Sequence, residues 1–66
     1  MTNEHVPDDV QVWASYATEL ALTFGDIPTR LRAAREAYLV HGFDVDLIAR
    51  MSGFPEWRIR QAILGP

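Results

Sequence analysis

Four glycines, Gly25, Gly42, Gly53 and Gly65, stand where the apolar periodicity of this chain breaks, and they cut it into four short segments. Glycine adopts backbone conformations that other residues resist, which makes it a common terminator of helices. Prolines reinforce two of the breaks: Pro28 follows Gly25 and Pro55 follows Gly53. Each stands where a helix can begin, because proline has no N–H to leave unpaired in a first turn. Between the breaks, apolar residues recur three and four apart, and β-branched residues never alternate long enough for a strand. The expected fold is all-α, a compact bundle of four helices.

Met1–Pro7 lacks periodicity and reads as a flexible lead-in to a single helical domain, residues 8–66. Asp8 suits the N-cap of the first helix, with Gln11 completing a capping box. Val10, Trp13, Ala17, Leu20 and Phe24 follow as a stripe that Gly25 ends. The stripe also keeps a seven-residue repeat, so it has two readings: it closes the bundle, or it is a face for a homodimer. Val12, Tyr16 and Leu22 add apolar surface elsewhere. Pro28 lies in the first turn of a second helix, with Leu31, Ala34, Tyr38 and His41 on one face. Ala33, Ala37 and Val40 widen that face, and Gly42 is its terminator. Asp44 is placed to cap a third helix over residues 45–52, with Leu47, Ile48 and Met51 inward. After Gly53 and Phe54, Pro55 opens a fourth helix that runs to about Leu64.

Sixty-six residues make one domain at most, and 48% hydrophobic content is enough for a core. No cysteine is present, so neither a disulfide framework nor a zinc finger is expected. With no long apolar run and no signal-like start, a soluble cytoplasmic protein without a membrane partner is the expectation. The net charge of −3 speaks against nucleic acid only until its distribution is read. Residues 1–28 hold five acidic residues and no base, whereas residues 29–66 hold six arginines against four acidic residues. The acidity belongs to the first half, and the second can carry a basic face.

Residues 45–64 hold a more specific pattern. Two short helices can cross steeply only where the first offers a small residue, here Ala49. The chain must then reverse within about three residues, which favours a left-handed conformation, and Gly53 is placed to take it. Ile59 drops onto the preceding helix, and Ala62 and Ile63 continue toward the core. In the type and spacing of Ile48, Ala49, Gly53, Phe54, Ile59 and Ala62, the stretch resembles the helix-turn-helix DNA-binding family, of the small phage or bacterial regulator type. It departs from the family at Pro55, where a serine or threonine often supplies a side-chain cap. The chain stops soon after the fourth helix, so no β-hairpin wing is expected.

The resemblance implies double-stranded DNA as partner, with the helix over residues 55–64 in the major groove. Arginine can grip guanine, and glutamine adenine, through two hydrogen bonds. Arg60 and Gln61 are therefore the expected base contacts, with Trp57 beside them. Arg58, Arg50, Arg30 and Arg32 are the expected phosphate contacts, which set register and not sequence. Plainer readings stay open. Arg60 and Gln61 are good helix formers that water alone can satisfy, Arg30, Arg32 and Arg35 can form a solvated face, and Trp57 can serve packing or an interface. Glu56 counts against DNA unless it accepts from a cytosine amino group.

No catalytic constellation is legible. His41 at a helix end suits the dipole better than catalysis, and Asp44 with Asp46 suits a helix start. No spacing fits a metal site, a phosphate loop or a nucleophile motif, so neither a cofactor nor an enzymatic role is expected. Two functions compete. The first is a sequence-specific DNA-binding regulator or a phage-type control or excision factor. The second is a protein-binding adaptor, inhibitor or antitoxin-like protein on the same helices.

Overall fold

The computed structural model describes residues 10–65, with side chains from residue 12 onward. It holds four helices: α1 (Val10–Phe24), α2 (Ile27–Leu39), α3 (Val45–Ser52) and α4 (Glu56–Leu64). No strand occurs among the described residues, and no wing follows α4 there. The expected lead-in and the Asp8 cap lie outside the described residues, as do the side chains of Val10 and Gln11.

The helix boundaries follow the glycines, for different reasons. Gly42 and Gly53 have positive φ, +73° and +81°, where a side chain would strain the backbone. After Gly42 the chain folds back so that the Phe43 N–H reaches the Ala37 carbonyl at 3.0 Å. Gly25 is needed for closeness instead: a Cβ there would lie 2.6 Å from the Ala21 carbonyl oxygen. Asp26 caps α2 by accepting from the Thr29 N–H at 3.0 Å. Asp44 holds the expected cap position of α3, but its side chain makes no capping bond.

The core consists of Leu22, Ala33, Ala34, Ala37, Ile48 and Ile59, with Ala21, Phe43, Val45, Ala49, Met51, Phe54 and Ile63 packed against it. Three of its members are alanines of α2, and their small size lets the other three helices approach that helix closely. Thus α2 packs against α1, α3 and α4, whereas α1 and α4 do not touch. Thr18 of α1 is buried, and its Oγ1 lies 3.2 Å from Nε2 of His41, whose side chain is only 4% exposed.

Two inward faces differ from expectation. On α2, Tyr38 and Val40 are exposed, because the three alanines already fill the contact. On α3, Leu47 is exposed and Ser52 takes the buried place. The larger difference is on α1. Leu22, expected as peripheral surface, is fully buried, and the stripe Trp13, Ala17, Leu20 and Phe24 points away from the bundle. The reading in which that stripe closes the bundle is overturned. At 100° per residue, Thr18, Ala21 and Leu22 share one side of the cylinder, and Trp13, Tyr16, Leu20 and Phe24 share the other.

Candidate nucleic-acid interface

The turn between α3 and α4 comprises Gly53, Phe54 and Pro55. Gly53 donates to the Ala49 carbonyl at 2.9 Å and closes α3 in the left-handed conformation, as the spacing required. Phe54 then donates its N–H to the Ser52 hydroxyl at 3.3 Å. Pro55 occupies the N-cap of α4 in extended conformation without a side-chain cap, so the helix begins at Glu56. Ile59 is fully buried and ties α4 to the core, with Ala62 and Ile63 half-buried beside it.

That anchoring decides what α4 presents. Trp57 (62% exposed), Arg60, Gln61 and Leu64 face outward. Arg60 donates to the Glu56 carboxylate at 3.0 Å across one helical turn. Such an exposed pair is worth at most about 1 kcal/mol, so it orders the arginine without committing it. Arg58 sits on the flank, its guanidinium 5.5 Å from the centre of the Phe54 ring.

Arg30 reaches the same ring from α2, at 4.8 Å. Its Nη1 donates to the Ser52 carbonyl at 2.7 Å, while its Nε is buried without a partner among the described residues. Arg30 therefore ties α2 to the end of α3, a structural duty that the sequence reading did not assign. Together Arg30 and Arg58 flank Phe54 with two positive charges at the entrance to α4. Neither has a carboxylate partner among the described residues.

The other expected phosphate contacts are not gathered there. Arg32 follows Arg30 by two residues, so it leaves α2 about 200° further round, and it is exposed in a shallow groove that it lines with Ala62 and Gly65 at the end of α4. Asp26 feels both arginines, although its carboxyl is held below the usual range first by hydrogen bonding from Thr29, through side chain and backbone. Arg50 is exposed on α3 and paired with Asp46 at 3.4 Å. The structure thus brings Arg58 and Arg30 together at Phe54 where α4 begins, leaves Arg32 beside the other end of α4, and keeps Arg50 paired on α3. The role of Phe54 as a platform for two guanidiniums was missed. Sequence offers no signal for it, because Arg30 lies far from the turn along the chain.

Among the described residues, no group of three His, Asp or Glu side chains could hold a metal ion, and no helix is long and apolar enough to cross a membrane. In comparisons with known proteins, the chain matches no family model, no curated protein and no solved structure.

Proposed function

We propose that the chain binds double-stranded DNA through α4, as a small sequence-specific regulator or a control or excision factor. The observation that carries this reading is the α3–α4 unit. A left-handed glycine closes α3, a three-residue turn follows, and the buried Ile59 turns Trp57, Arg60 and Gln61 outward. Arg60 and Gln61 have the length and hydrogen-bonding groups to read base edges. Glu56 holds Arg60 along the helix until a guanine replaces it. Arg58 and Arg30, stacked on Phe54, supply positive charge where the backbone of a duplex would pass α4, and Arg50 or Arg32 serve a phosphate only beyond that first contact.

Selection of bound duplexes from a random pool at low salt tests the reading. The expected result is a consensus, an affinity that falls steeply with salt, and a relaxed consensus for Arg60→Ala with Gln61→Ala. Each lost base contact should cost about 1–3 kcal/mol against the preferred base. Arg58→Ala should weaken all sequences alike. No duplex binding at low salt would overturn the proposal, and a single stoichiometric protein partner indifferent to Arg60 and Gln61 would establish the adaptor instead.

A further inference from the structure

The outward side of α1 carries Val12, Trp13, Tyr16, Leu20 and Phe24, each between 43% and 79% exposed. The one charged residue in α1, Glu19, lies at the margin of this face. We propose that this face pairs with the same face of a second copy of the chain, making a homodimer through α1. The inference stands independently of the DNA reading.

Four observations favour a second copy over another partner. The first is area. From their fractional exposures, the five side chains offer at most about 550 Å² per protomer, or about 1,100 Å² in a symmetric pair, which is the size of a weak, reversible interface rather than of a permanent one. The second is self-complementarity. A two-fold contact sets one patch against itself, so a charged patch would repel its own copy, and this one is uncharged. The third is spacing. Trp13 and Leu20 are seven residues apart, as are Ala17 and Phe24, so one seam persists along the helix. Ala17, exposed at the edge of that seam, leaves room for a second helix to approach.

The fourth observation is placement. Because α1 and α4 do not touch and both pack on α2 and α3, α1 pairs without covering α4. The apolar surface also continues past the helix: Val12 and Ser15 line a shallow groove with Val40 and His41 at the end of α2. Val40, exposed against expectation, would gain cover at the rim of the same interface.

Sedimentation equilibrium of the full chain tests the proposal. The expected weight-average mass is about 13 kDa at about 100 µM, approaching twice the 7.5 kDa of one chain as concentration rises, with dissociation on the order of 10 µM for an interface this small. Leu20→Glu puts a carboxylate into each half of the apolar contact and should raise the dissociation constant at least about 100-fold. Since Leu20 is exposed in the single chain, its circular dichroism should not change. Should that variant fail to fold, Phe24→Ser, at the last residue of the helix, reads the same interface. A wild-type mass of 7.5 kDa up to about 1 mM overturns the proposal, and so does a dimer that folded Leu20→Glu leaves intact. Arg60→Ala with Gln61→Ala should leave the mass unchanged, which separates failure of the dimer from failure of DNA binding.

Discussion

Replacing Gly53 by the two mirror forms of alanine probes the turn on which the α3–α4 unit depends. Gly53 sits at φ +81°, ψ 3°, in the left-handed region. An added L-Cβ would meet only Nη1 of Arg30, at 4.0 Å, so space is not the obstacle. The cost of Gly53→Ala is then conformational, about 1–2 kcal/mol for an L residue held in that region. In a chain of this length, 1 kcal/mol moves the melting temperature by about 4–8 °C, so the expected loss is roughly 5–15 °C. D-Alanine prefers the same region, and Gly53 is exposed. The D form should keep the turn while restricting the unfolded chain, a gain of about 0.4–1 kcal/mol.

A chain of 66 residues is within reach of chemical synthesis, so both forms can be compared with glycine. Thermal unfolding followed by far-ultraviolet circular dichroism, at one protein concentration throughout, provides the comparison. Opposite signs for the two alanines are the expected result. Equal losses would refute the reasoning, because crowding and not handedness would then govern the site. An unchanged melting temperature for the L form would mean that the turn is not left-handed.

Three further outcomes follow from the same packing. Arg30→Met keeps an aliphatic stem but leaves the Ser52 carbonyl without its donor; urea unfolding should show a loss of about 1–3 kcal/mol, and Arg58→Met far less. Ile59→Ala empties the fully buried contact of α4 and should cost about 2–5 kcal/mol in the same assay. The hydrogen bonds from Thr29 lower the pKa of Asp26 in the folded chain, so its contribution is fully present above the ordinary aspartate value. It is lost as pH falls through the lowered folded value. Asp26→Asn should flatten that part of the acid limb of melting temperature against pH, and an unaltered limb would remove Asp26 from the account.

The expected site and its surroundings differ in how legible they were. Gly53, Ile59 and the outward set Trp57, Arg60 and Gln61 could be read directly, because a helix repeats its faces by a fixed angle and the turn needs one residue with positive φ. Asp26 was also within reach, since an aspartate just before a first helical turn that carries a proline stands where an N-cap belongs. Arg30 was not. Its partners, Ser52 and Phe54, stand 22 and 24 positions away, and nothing in the spacing of arginines tells a clamp from a solvated face.

Helix α1 marks the boundary most sharply. Its sequence holds two apolar sides, one built on Leu22 with small residues and one on Trp13, Tyr16, Leu20 and Phe24. Periodicity favours the side with the larger residues, but the bundle buries the other. The sequence by itself determined the number of helices, the glycine breaks between them and the outward face of α4, because those depend on local backbone preference and on angles within one helix. Only the tertiary structure decided which side of α1 faces inward and which arginines meet at the turn. The alanine surface of α2 is shallow and accepts Thr18, Ala21 and Leu22 more closely than an indole or a phenyl ring, and so the larger residues are left on the outside.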